Sequence, residues 1–334
     1  MISISVRVLL LLISLATAIV VNLCVGDVCV APGQAIHEII STDPNLSTLH
    51  EILWQIRLPR ICVALLVGTA LAVSGYVLQA LSRNSLSDPY LTGVSSGAGL
   101  AVAIAMISNV SFSVIPAAAF VGGLLASLLV ASMARGAAGL SVGRLLLSGV
   151  GLSAVCSAFI TMILIHASSV AQGQGLFFWL AGGIAGRTWT EIFPAFGYTI
   201  AGVVLALTMS KQIRLLSLGA QSAQALGLDV ARAQWILLAA AVLMCGAAVS
   251  ISGLVGFVGL IAPHLARRLY GQDERLQIIC SAMLGMTLVL ISDLAARTLG
   301  QGQELPLGTL LSLIGGPFFL WLIGSKHSRE VLQT

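Results

Sequence analysis

This sequence is short of charge. Asp, Glu, Lys and Arg together make up 8% of its 334 residues, and lysine occurs only at Lys211 and Lys326. A soluble domain carries about 25% charged residues, so this chain has too few to cover a water-facing surface. Other absences remove whole classes of activity. No G-x-x-x-x-G-K-[ST] occurs, so the chain binds no ATP by a P-loop. His37, His50, His166, His264 and His327 are scattered, and no H-E-x-x-H pairs two of them for zinc. The six cysteines show no metal-ligand spacing. Cys24 and Cys29 flank the end of the first apolar run and are read either as a pair bridged on an oxidising side or as free thiols. Acids within apolar runs are almost missing: Asp293 is the main one, near the end of its run with Arg297 four residues on. Ion-coupled carriers mark their path with such groups, so energy for any transport must come from elsewhere. No site residue is assigned to catalysis or to a metal.

What is present is apolar length. Hydrophobic residues make up 58% of the chain and mean hydropathy is +1.03. Runs of roughly 17–25 apolar residues each cross about 30 Å of hydrocarbon as a helix. Short alternating segments of the barrel type are not visible. The fold class is therefore all-α, a polytopic transmembrane bundle in one domain over 1–334. About ten spans are expected, at 5–25, 56–81, 92–108, 113–134, 144–166, 191–209, 234–251, 254–270, 276–298 and 306–324. The first run, with no small-x-small site after it, reads as a retained span rather than a signal peptide. The segment 168–190 is too apolar for an ordinary loop and reads as a short or re-entrant helix. Ser74, Ser95, Ser96, Ser148 and Ser252 sit among glycines and read as helix-packing positions.

Loop charge sets the orientation. With both termini cytoplasmic, the inner loops and tails hold 12 of the 16 basic residues and five acids. The outer side has Arg57, Arg60, Arg187 and Arg297 against seven acids. These outer arginines stand where basic residues should be rare. Arg57 and Arg60 either snorkel to headgroups or join a positive rim for an acidic partner, and Arg297 either pairs with Asp293 or belongs to that rim. A weak internal repeat relates roughly 56–166 to 234–324: Ala72-Val73-Ser74-Gly75 is echoed about 178 residues later by Ser250-Ile251-Ser252-Gly253. The longest inner segment runs 210–234. Its Gly219–Leu228 part, with Ala220, Ala223 and Leu226 apolar and Gly227 as a stop, reads as a short helix. Such a helix serves either as an interfacial anchor or as a knob for a cytoplasmic partner.

Several long motifs occur in order from about Trp54 to Trp321. They include RLPR (57–60), LVGTALAVSGYVLQ (66–79), RNSLSDPYLTGVSSGAG (83–99), FWLAGG (178–183), GFVGLIAPHLARRLYGQDER (256–275), SDLAARTL (292–299) and ELPLGTLLSLIGGPFFLWL (304–322). Together they resemble the permease subunit of the FecCD-type ATP-binding-cassette importers, which carry iron-siderophores, haem and cobalamin. The resemblance implies a second permease subunit, the same or homologous, and two cytoplasmic ATPase subunits that hold ATP and magnesium. It also implies an extracytoplasmic binding protein, residence in the bacterial cytoplasmic membrane surrounded by lipid, and no nucleic acid. This chain would bind no cofactor and act by alternating access. Ferric siderophore is the expected cargo, haem or cobalamin the alternatives, and an ion-coupled secondary carrier the rival class. By resemblance, Arg57, Arg60 and Arg297 meet acids of the binding protein. Gly219, Ala220, Ala223, Leu226, Gly227 and Leu228 match the helix that seats in the ATPase. The turn Ser141-Val142-Gly143 matches the inner gate, where relatives carry small hydroxyl residues. Val142 and Gly143 depart from that pattern. Asn84-Ser85-Leu86-Ser87-Asp88 lacks the proline usual at its second position.

Overall fold

The computed structural model describes residues 3–26, 28–40, 48–136, 139–166, 169–271, 273–300 and 304–324. Each of the ten apolar runs is a helix. They are α1 (Ile4–Cys24), α4 (Leu58–Ser82), α5 (Val94–Ile107), α6 (Ile115–Met133), α7 (Val142–Ile165), α9 (Trp189–Thr208), α12 (Val230–Ser252), α13 (Val258–Leu269), α14 (Glu274–Leu299) and α15 (Leu307–Gly324). Among the described residues, seven helices are long and apolar enough to cross a membrane, and α5, α13 and the described part of α15 are shorter. Smaller helices fill the connections: α2 (Pro32–Ile40), α3 (Thr48–Glu51), α8 (Val170–Ala181), α10 (Ser210–Ser217) and α11 (Ala220–Ala225). The run of 168–190 thus holds a short helix as expected, whereas the sequence pattern gives no sign of α2, α3 and α10.

Helix ends follow ordinary capping chemistry. Asp229 accepts from the Arg232 amide (3.0 Å) at the start of α12. Asp273 accepts from the Arg275 and Leu276 amides (2.8 and 3.2 Å) at the start of α14. Pro59 stands in the first turn of α4, where its missing N–H costs nothing. A π-helical stretch, Ile52–Arg57, runs straight into that turn. Between α6 and α7 a two-stranded antiparallel hairpin pairs Arg135–Gly136 (β1) with Gly139–Leu140 (β2). The Gln234 side chain of α12 accepts the Leu140 amide at 2.9 Å.

The bundle is organised around α4, which is almost wholly buried and packs on α14, α12, α13 and α9. In lipid the hydrophobic effect does not drive helices together, so close packing of small residues must. Gly68 of α4 faces Gly285 of α14, and Gly75 of α4 faces Gly259 of α13; a Cβ at any of these would run into the opposing helix. Ser74 Oγ donates to Ala241 O of α12 (2.8 Å) and Gln79 Nε2 to Gly259 O (3.0 Å), so polar side chains fasten the same seams. By contrast α1 and α7 present mostly exposed apolar surface.

Four helices end or begin inside the bundle rather than at its ends. Gly259, at the start of α13, meets the middle of α4. The Gly253 backbone (φ +65°) terminates α12 just before it. The end of α8 and the start of α15 come to the same place: Gly183 N donates to Ser252 O (2.8 Å) and Gly308 N to Gly182 O (3.3 Å). Irregular backbone at this depth survives only when protein satisfies it. Tyr90 closes the remaining gap, donating its hydroxyl to Val255 O (2.9 Å) and accepting the Val255 amide (2.7 Å).

Substitution of Gly75 by Val is expected to cost about 1–3 kcal/mol or more through overpacking. A Cβ at Gly151 would meet nothing within 4 Å, so Gly151→Ala should leave the fold unchanged. Thermal unfolding of the detergent-solubilised variants, followed by size-exclusion recovery, checks the pair; a Gly75→Val protein as stable as wild type would contradict the packing role of α4.

Candidate functional site

At the end of the bundle that loop charge assigns to the outside, the three arginines converge. Arg57 ends the π-helical stretch, Arg60 lies one turn into α4, and Arg297 is in the last turns of α14. Arg57 and Arg297 both reach Gly26, in the connection after α1. Their guanidinium groups point into the protein. Arg57 donates to the carbonyls of Leu23 and Val28. Arg297 donates to Asn22 Oδ1 (2.7 Å) and Val25 O (3.1 Å), and its Nε lies 3.4 Å from Asp293 Oδ2. The pairing of Arg297 with Asp293 one turn earlier is thus present.

Arg60 is the most heavily engaged of the three. Its Nε lies 3.0 and 3.1 Å from the two Asp293 oxygens, its Nη2 is 2.8 Å from Asp293 Oδ1, and its Nη1 donates to Glu304 Oε1 at 2.6 Å. The Asp293 side chain is 2% exposed and that of Glu304 48%. A buried ion pair is tolerable only with such complete hydrogen bonding. The sequence marks Glu304 and Asp293 as outer acids but gives no sign that Glu304 meets Arg60. Nor does it point to Asn22 and the Leu23, Val25 and Val28 carbonyls as partners. The spacing of Asp293 and Arg297 is the one local signal.

A cavity of about 540 Å³ opens beside this network. Arg60, Asp293 and Glu304 line it together with Phe178, Trp179, residues 182–187, Ser252 and Leu307. Arg187 and Glu191 pair at 3.6 Å along it. Trp179 Nε1 is buried there without a hydrogen-bond partner among the described residues. Phe178 lines the cavity, and both Phe177 and Phe178 are exposed.

At the opposite end, Gly219 (φ +107°) starts α11 and Gly227 (φ +85°) follows it, so the helix is Ala220–Ala225 within the expected 219–228. Ala223 is its buried contact, Leu226 is 63% exposed and Leu228 half-buried. α10, immediately before it, packs on α4 and α14, and Arg275 Nε donates to Ser210 Oγ (3.2 Å). The short helix therefore stands out from the bundle on a braced support. Arg83, at the end of α4, packs against Gly219. Ser141 is the N-cap residue of α7 with Val142 and Gly143 as its first residues, directly after the hairpin. Val142 shares a small cavity with Asp88 of the inner turn. Burial pushes the Asp88 carboxyl up to about 6, against a stabilising bond from the Tyr90 amide.

The stretch Gly93-Val94-Ser95-Ser96-Gly97 carries the letters of a nucleophile elbow, but it follows a 3-10 turn at the start of α5 rather than a strand. Its serines are packing positions: Ser96 Oγ donates to Gly93 O (3.1 Å) and accepts from Ser153 Oγ (3.2 Å).

Comparison with known proteins agrees over nearly the full length. The FecCD transport family model matches residues 10–325. The chain is 38% identical to the hemin transport system permease protein of Yersinia pestis, over 86% of this chain and 88% of that one. It is 36% identical to the vitamin B12 import system permease protein of Vibrio vulnificus, over 96% and 95%. A solved metal-chelate type ABC transporter in an inward-facing conformation superposes with a TM-score of 0.83 at 30% identity, covering 94% of this chain and 97% of that one. The chain belongs to the FecCD transport family.

Proposed function

We propose that this chain is the permease subunit of an ATP-driven importer that moves a bulky metal chelate into the cytoplasm by alternating access. The observation that carries this reading is the match to importer permeases along almost the whole chain. A ferric siderophore is the proposed cargo. Haem and cobalamin are the second reading, favoured by the hemin and vitamin B12 permeases among the relatives. The chain itself performs no chemistry. Two cytoplasmic ATPase subunits bind ATP and magnesium, a second permease subunit completes the path, and an extracytoplasmic binding protein delivers the cargo. The setting is the bacterial cytoplasmic membrane.

Each end of the chain has a part in this scheme. At the outer end the cluster of Arg57, Arg60 and Arg297 is the seat for acidic side chains of the binding protein, supported by the concentration of positive charge where loops are otherwise acidic. At the inner end Gly219–Leu228 seats in the ATPase, supported by the projection of α11 and its exposed leucine. The turn Ser141-Val142-Gly143 is the inner gate. Its position at the start of α7, against the turn that holds Asp88, lets a shift of either element reach the other. An ion-coupled carrier would import without any ATPase.

Proteoliposomes holding the permease, its ATPase and its binding protein test the whole scheme. Uptake of labelled ferric siderophore, hemin or cobalamin should require all three proteins and internal ATP; uptake by the permease alone under an ion gradient would overturn it. A second expectation concerns the coupling helix. Leu226→Asp changes an exposed side chain, so the fold should persist. Losing the burial of a leucine, roughly 1.5–3 kcal/mol, should weaken ATPase binding by about ten- to a hundredfold. Unchanged co-purification of the ATPase would return Gly219–Leu228 to the role of an anchor at the lipid surface. A third concerns docking. Stimulation of ATPase activity by the binding protein should fall steeply with ionic strength while basal activity does not; salt-independent stimulation would reject an electrostatic seat.

A further inference from the structure

We infer that Glu304 holds the place of a partner carboxylate on Arg60, and that an acidic side chain of the docking protein displaces it. This rests on the docking role proposed above for Arg60. The two acids on Arg60 are not equivalent. Asp293 takes Nε and Nη2 in a forked arrangement and is 2% exposed, on the same buried face of α14 that meets α4. Glu304 takes only Nη1, through one oxygen at 2.6 Å, and its side chain is 48% exposed. The Arg60 side chain itself is 10% exposed. Glu304 therefore stands between the remaining donor edge of Arg60 and water. An outside acid cannot reach that edge while Glu304 occupies it.

The exchange is chemically even. One carboxylate leaves Nη1 for water and another takes the same donor, so no charge is left buried alone. A half-exposed ion pair contributes about 0.2–1 kcal/mol, which an incoming partner can replace readily. Breaking Arg60 from Asp293 would instead strand a buried charge at several times that cost. The fixed acid thus orients the guanidinium and the exchangeable one keeps its free edge occupied until a partner arrives.

Displacement also has a place to act. Glu304 is the first described residue before α15, and Glu304, Leu305, Pro306 and Leu307 wall the 540 Å³ cavity. Leu305 N donates to Ala296 O at 3.3 Å and Gly308 N to Gly182 O at 3.3 Å, both long bonds. Release of Glu304 loosens this wall at the moment the delivery protein is seated.

Binding of the extracytoplasmic protein that stimulates the complex is to be measured on the permease–ATPase complex in nanodiscs, for wild type, Glu304→Gln and Glu51→Gln. Glu51 is an exposed outer acid in α3 with no ion pair among the described residues. Removing the competitor should tighten binding about two- to fivefold for Glu304→Gln and leave Glu51→Gln at the wild-type value. Equal or weaker binding by Glu304→Gln overturns the exchange, as does an equal gain in both variants, which would report net charge alone. Hydrogen exchange at the Leu305 and Gly308 amides should rise in wild type when the protein docks; unchanged exchange contradicts the loosening. Wild-type binding that ignores ionic strength would instead sink the electrostatic seat itself, whereas failure of the exchange alone leaves that salt dependence in place.

Discussion

Everything in this molecule depends on how closely other helices can approach α4. A helix in lipid has no water to drive it against its neighbours, so contact must come from shape and from hydrogen bonds. Gly68 and Gly75 remove side chains at two levels of α4, and Gly285 and Gly259 answer them from α14 and α13. The backbones come near enough for Ser74 and Gln79 to bond carbonyls of α12 and α13. That contact sets the depth at which α13 begins. With it comes the junction where α8 ends and α15 starts, since Gly182, Gly183, Ser252 and Gly308 share their hydrogen bonds there. The cavity beside Trp179 and Leu307 exists because these helices stop short.

The outer arginines show the same economy with charge. Few charges are available, and several of those at this end are tied to backbone carbonyls or to each other. Arg57 holds the chain around the end of α1 by two carbonyls, which leaves its positive charge uncancelled, while Arg297 shares itself among Val25 O, Asn22 and the Asp293 carboxylate. Arg60 is cancelled by Asp293 and again by Glu304. A seat for acidic partners and a rigid outer end are thus made from the same three side chains. Rigidity follows from the neutral acceptors, and attraction from the charge they fail to neutralise.

The helices were legible because lipid imposes one rule, an apolar run, which seven helices of the described residues meet at full length and α5, α13 and α15 over shorter stretches. The break between the runs 234–251 and 254–270 falls at Gly253, whose φ of +65° suits glycine. The segment 168–190 is too apolar for an ordinary loop, and α8 lies within it. The connection after α1 was different. α2 is a nine-residue stretch of mixed polarity and α3 is a single turn, and both pack against the π-helical stretch at 52–57, a contact that no local pattern reveals. The partners of the arginines were hidden for the same reason: a backbone carbonyl has no letter in the sequence. Glu304 lies 244 residues from Arg60, so only the packing of α14 against both α4 and α15 brings them together. At the inner end, Gly219 and Gly227 framed the projecting helix, because both take positive φ that other residues avoid. The brace beneath it, α10, has the letters of a loop because its polar residues outnumber its apolar ones.

Glycine use separates two kinds of surface. The glycines of α4, α13 and α14 that touch a neighbour would all collide with it if given a side chain. Those at Gly143 and Gly151 of α7, Gly173 and Gly175 of α8, and Gly316 of α15 meet nothing within 4 Å. Among the described residues, no contact within this chain accounts for them. In lipid a glycine without a neighbour gives up helix propensity for no packing return, whereas a glycine beneath an approaching helix allows close contact.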